Sequence, residues 1–136
     1  GEVLTENVAI MAWIAEQAAH LVPPGPLGRY RNIEMLAFLA TEVHRPFMRS
    51  MFSPAEAEKQ AARAAITQRL DMLAGRLGGD YLFGDDFSTA DALLYVMVRW
   101  ARDSDFVLPE SLLAYAQRVE ARPAVIATLR KEGLAA

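Results

Sequence analysis

The sequence predicts an all-α fold, a helical bundle built around one buried central helix. Two observations predict it. Every long segment carries its apolar residues with a helical period, and none alternates apolar and polar residues as a strand would. Proline and glycine gather at a few points and mark the joints between those segments. With 136 residues the chain suffices for one core, and 53% hydrophobic residues make it a globular composition.

The first helix is expected over residues 5–19, with Thr5 as N-cap and Val8, Met11, Ile14, Ala15 and Ala18 as its apolar stripe. Residues 22–28, Val-Pro-Pro-Gly-Pro-Leu-Gly, cannot continue a helix and form the best boundary in the chain. A second helix begins near Arg29, with Ile33, Leu36, Ala37, Ala40 and Val43 on one face. Pro46 removes a hydrogen bond to the carbonyl of Glu42 and disfavours helical geometry at Arg45, so a kink or break is expected after His44. A third helix is expected to start on Ser53 as cap, with Pro54 in its first position and Glu56 closing a capping box, and to end at Gly78-Gly79. A second box, Ser88 with Asp91, opens a helix that is apolar almost all round, which marks it as the central one. Two amphipathic helices, about 109–121 and 123–132, close the chain, with Gly133 as the stop.

Composition also narrows the function. A net charge of −3 provides no basic field for nucleic acid. With no cysteine, this chain holds no disulfide, no thiolate metal site and no cysteine nucleophile. His20 and His44 stand apart from any ligand cluster, so no metal site is expected. The longest apolar run, 8–15, is too short to span a bilayer, and no signal peptide precedes the first helix. A cytoplasmic protein with no membrane partner is the expectation.

The run 81–91, Tyr-Leu-Phe-Gly-Asp-Asp-Phe-Ser-Thr-Ala-Asp, resembles the segment that enters the central helix of glutathione S-transferases. Residues 3–10, Val-Leu-Thr-Glu-Asn-Val-Ala-Ile, resemble the start of the last helix of that family's thioredoxin-like domain. Residues 122–134 are similar to its closing helix, and 40–45, Ala-Thr-Glu-Val-His-Arg, to the bacterial beta class. The four stretches occur in the family's order and spacing. The resemblance implies a remnant of the thioredoxin-like domain over 1–21, a linker over 22–28 and the all-helical C-terminal domain over 29–136.

It further implies a use of glutathione as co-substrate, with no other cofactor. The complete enzyme would conjugate the glutathione thiolate to small hydrophobic electrophiles, a detoxification reaction, in a homodimer. His44 would stabilise the thiolate as the catalytic residue. Glu6, Asn7 and Arg45 would hold glutathione, and Phe47, Met48 and Met51 would line the pocket for the electrophile. Asn7 departs from the serine often found at its position. Ser88 and Asp91 are structural. The first strand, the cis-proline loop and the nucleophile-activating residue of the family lie outside this sequence, so the chain alone is expected to be inactive. The rival reading is a non-catalytic interaction module of the same helical fold.

Overall fold

The computed structural model describes residues 1–134 and contains helices and loops but no strand among them. The expected all-α architecture is what the chain adopts. Helix α1 spans Asn7–Gln17, and a 3-10 turn follows at Ala19–Leu21. Next come α2 (Gly28–Phe38), a π-helical stretch (Leu39–His44), α3 (Arg45–Phe52) and α4 (Glu56–Ala74). Three more helices complete the bundle: α5 (Thr89–Asp103), α6 (Glu110–Glu120) and α7 (Pro123–Lys131).

Helix α5 is the centre, as its composition predicts. Leu93, Leu94, Met97, Val98 and Ala101 are buried along it, together with Tyr95, while Val96, Arg102 and Asp103 reach the surface. Helices α1, α2 and α6 and the π-helical stretch all pack on it. Its N-terminus is closed by a complete capping box. The Ser88 amide donates to Asp91 Oδ2 at 2.9 Å, and the Asp91 amide donates to Ser88 Oγ at 3.3 Å. The same carboxylate also reaches across the loop, accepting from the Leu82 amide at 2.9 Å. Burial pushes the Asp91 carboxyl above its ordinary pKa, against the lowering effect of these hydrogen bonds.

Four local expectations are corrected. Helix α1 is not capped by Thr5; Glu6 is its N-cap, at φ +69°, with no side-chain cap hydrogen bond. The Ser53–Glu56 capping box does not form. Ser53 instead ends α3, its amide donating to the Arg49 carbonyl at 3.0 Å, and the chain extends through Ala55 before α4 begins. The Ser53 hydroxyl turns to Glu58 at 2.6 Å. Helix α4 ends at Ala74, with Gly75 as C-cap, short of the expected Gly78-Gly79. Pro46 produces no break, and Arg45 keeps helical geometry at φ −59°, ψ −44°. The wider π-helical turn just before Pro46 absorbs the disturbance that a missing amide would otherwise cause.

The buried face of the α2 rod also differs from the expected one. Asn32, Leu36, Leu39 and Val43 point inward, while Ala37 is exposed. Asn32 is a polar residue in the core, and its amide nitrogen donates to Thr89 Oγ1 at 2.7 Å while its oxygen accepts from the Ala90 amide at 3.3 Å. It thus satisfies the first turn of α5 from outside. Gly28 opens α2 because an added Cβ would sit 1.7 Å from the Pro23 carbonyl oxygen, which no side chain can do. At the other end Gly133, at φ +68°, closes α7 in a Schellman motif: its amide donates to Arg130, and that of Leu134 to Leu129. Of the family-domain expectation over 29–136, residues 135 and 136 lie outside the described residues.

Candidate functional site

Glu6 and Asn7 stand at the exposed N-terminus of α1. The carbonyl of Glu6 accepts the first helical hydrogen bond, from Ile10 at 3.0 Å, yet its own φ is positive. A non-glycine residue there costs on the order of 1–3 kcal/mol. Neither side chain has a hydrogen-bonding partner among the described residues, so a carboxylate and an amide stand exposed beside a helix N-terminus that no side chain caps. That set suits a ligand carrying both an ammonium and a carboxylate.

His44 and Arg45 lie at the junction of the π-helical stretch and α3. The two point differently. His44 is half-buried, its imidazole against the indole of Trp100 with ring centroids 5.5 Å apart and planes tilted by 39°. Arg45 is exposed and makes no ion pair among the described residues. It lines a shallow polar depression with Arg49, Arg69 and Glu42, where Arg69 holds Glu42 at 3.1 Å. No hydrogen bond or ion pair among the described residues links Glu6 or Asn7 to His44 or Arg45.

Phe47 is fully buried, edge-on to Trp100 at 5.8 Å and to Phe106 at 5.7 Å, and so has no surface to offer a ligand within this chain. Met48 packs against the core and Met51 is exposed. None of the three lines the principal apolar groove. That groove, about 490 Å³, runs between α1, α5 and α7 and is walled by Met11, Phe87, Val96, Trp100, Val125 and Leu129. Trp100 is therefore shared: one neighbour is His44, another is the groove. The sequence offers one signal for it, an amphipathic aromatic late in the central helix, but nothing in the spacing reveals that His44 would meet it.

Residues 36–123 match the model of the "Glutathione S-transferase, C-terminal domain" family. The chain belongs to the glutathione S-transferase family. It is 35% identical to glutathione S-transferase GstA of Escherichia coli O157:H7 over 98% of this chain and 70% of that protein. Among solved structures, a sphingomonad glutathione S-transferase complexed with glutathione is 40% identical, with a TM-score of 0.89, over 99% of this chain and 71% of the other. The bacterial beta-class glutathione S-transferase of Sphingomonas chungbukensis is 38% identical, with a TM-score of 0.87, over the same shares. The chain thus spans about 70% of the length of these relatives. Its match to bacterial beta-class members agrees with the resemblance carried by residues 40–45. Among the described residues no helix is long and apolar enough to cross a membrane.

Proposed function

We propose that this chain supplies the helical half of a glutathione-conjugating site and acts with a thioredoxin-like domain, of which residues 1–21 are the last helix. Residues 22–28 are the linker and 29–136 the helical domain. The observation that carries the reading is His44 seated on Trp100, whose indole also walls the apolar groove. A thiolate placed beside His44 would accept a hydrogen bond from the imidazole and would be favoured by the positive charge of Arg45. An electrophile in the groove would then lie next to the attacking sulfur. Glu6 would meet the ammonium of the γ-glutamyl end of glutathione, while Asn7 and the first amides of α1 would meet its carboxylate.

On this reading the chain alone conjugates no glutathione above background. The groups that would fix the cysteinyl part of the tripeptide are not among its residues, and positioning is a large share of the rate gain. Glutathione conjugation is measured by spectrophotometry on the purified chain, with and without a thioredoxin-like half taken from a beta-class relative. Activity is expected only in the mixture and is expected to fall with His44→Ala. Turnover by the chain alone would overturn the reading.

The complete protein is proposed to be a homodimer, paired through α2 and α4 with the partner's thioredoxin-like domain, and to work in the cytoplasm. Sedimentation of the full protein as a strict monomer at high concentration would refute the pairing. A non-catalytic interaction module draws support from the exposed Val3, Leu4, Ile10 and Trp13 around α1. It requires that glutathione fail to bind even when both halves are present.

A further inference from the structure

Helices α5, α6 and α7 line a second, open cavity of about 470 Å³ that adjoins the groove and shares Arg99, Leu129 and Leu134 with it. Its polar wall is made by Arg99 and Arg102 of α5, Glu120 of α6 and Arg130 of α7, and its apolar wall by Ile126, Leu129 and Leu134. The charges do not cancel. Arg102 is committed to Glu120 at 2.8 Å, and the Tyr95 hydroxyl donates to the same carboxylate at 3.0 Å. Arg99 faces Asp103 at 3.6 Å and donates to the Leu134 carbonyl at 3.1 Å. Its side chain is 17% exposed, and its nitrogens without a hydrogen-bond partner keep access to solvent. Arg130 has no carboxylate partner among the described residues. One guanidinium is thus in excess of the carboxylates.

We propose that this cavity binds a small amphipathic monocarboxylate. The head would lie between Arg99 and Arg130, since a guanidinium fork matches a carboxylate through two parallel hydrogen bonds. The tail would lie along Ile126 and Leu129. Inorganic phosphate has no tail to lie along the apolar wall, so it is expected to bind less well than the monocarboxylate. The place of Arg130 in the last turn of α7 is also favoured by the helix dipole. That accounts for a positive residue at 130, but not for the second guanidinium, of Arg99, lining the same cavity. The inference rests on Arg102, Glu120, Ile126 and Arg130, which line this cavity and not the groove, and not on the residues of α1 and α3 that carry the glutathione reading.

The test is an NMR titration of the chain with hexanoate, with hexan-1-ol and inorganic phosphate in parallel. Saturable shifts are expected with hexanoate at Ile126 and Arg130, which line this cavity and not the groove, and weak or none with the alcohol or phosphate. Arg130→Gln, at an exposed position that leaves the fold intact, is expected to weaken hexanoate at least about tenfold, the scale of one charge-assisted hydrogen bond. Ionic strength of about 1 M, where the Debye length is about 3 Å, is expected to weaken it as well. Equal binding by the alcohol, unchanged binding by Arg130→Gln, or shifts confined to the groove beside Trp100 would each overturn the proposal.

Discussion

Helices α1 and α5 begin in opposite ways. At α5 the cap is closed on several sides: Ser88 and Asp91 close on each other, Asp91 also takes the Leu82 amide, Asn32 takes the Ala90 amide, and the Tyr115 hydroxyl donates to the Asp91 carbonyl at 2.8 Å. At α1 the N-cap residue is strained and exposed, and no side chain satisfies its amides. The first arrangement is complete without any ligand, and it locks three parts of the chain onto the central helix. The second leaves strain and open donors in place. Strain of that kind persists where the surrounding structure imposes it, and it gathers at ligand clamps. The contrast separates a residue pattern that serves folding from one that suits binding, although both are polar residues at a helix start.

The largest effect expected from breaking this contrast is at Asp91. Asp91→Ala strands the buried amides of Leu82 and Ser88 and should cost about 3 kcal/mol, read as a lower urea midpoint. Asp91→Asn should cost nearly as much, because its NH2 group would face one of those donors. Loss of less than about 1 kcal/mol in both would show the cap to be dispensable. Asn32→Ala removes the acceptor of the Ala90 amide and the donor to Thr89 from a buried position, and should cost about 2 kcal/mol in the same titration. Glu6→Gly should act the other way. It relieves the positive φ and should raise stability by up to about 1 kcal/mol, while glutathione affinity of the reconstituted site falls. A gain in stability with affinity retained would break the link between strain and binding.

The smallest effect concerns pH. Burial acts to raise the pKa of Glu120, but hydrogen bonds from Arg102 and Tyr95 outweigh it and bring it below the usual carboxylate value. The folded state then binds this proton more weakly than the unfolded state does. The stabilisation is present above the unfolded pKa, near 4.3, and is lost as pH falls through the folded one. Asp91 has the opposite sign: its raised pKa favours the folded state once the carboxyl is protonated. Glu120→Gln should therefore flatten the acid side of the stability profile by less than about 1 kcal/mol, since the pair is partly exposed. A steeper acid limb in this variant would contradict the assignment.

The start of α5 was legible because its signal is local, two residues three apart before an apolar run. Asn32 and Leu39 were not, because their burial depends on α5 lying against them, and the helical period alone favoured Ala37 and Ala40 instead. Ser53 carries the same kind of signal as Ser88 but a different outcome, since α3 needs it as an end before α4 can begin. At the proposed site, Glu6, Asn7, His44 and Arg45 are nominated by residue type and order alone. The positive φ of Glu6 and the meeting of His44 with Trp100 were not legible, because the one is imposed on a residue with no preference for it and the other joins positions far apart in the chain. Phe47 shows the converse: an apolar residue next to a site motif is, in three dimensions, a core residue.

The π-helical stretch at Leu39–His44 makes the rod from Gly28 to Phe52 tolerant, at one place, of a change in length. Deleting a residue from an ordinary α-helix turns everything beyond it by about 100° and carries the buried face into water. Within 39–44 the chain already holds more residues per turn than an α-helix needs. A single deletion there can return the segment to regular α-helix with Leu36 and Phe47 still facing inward. For a lineage of such chains this is a joint where length can drift while the core stays in register, and the position of the imidazole against the indole is what such a drift would alter first.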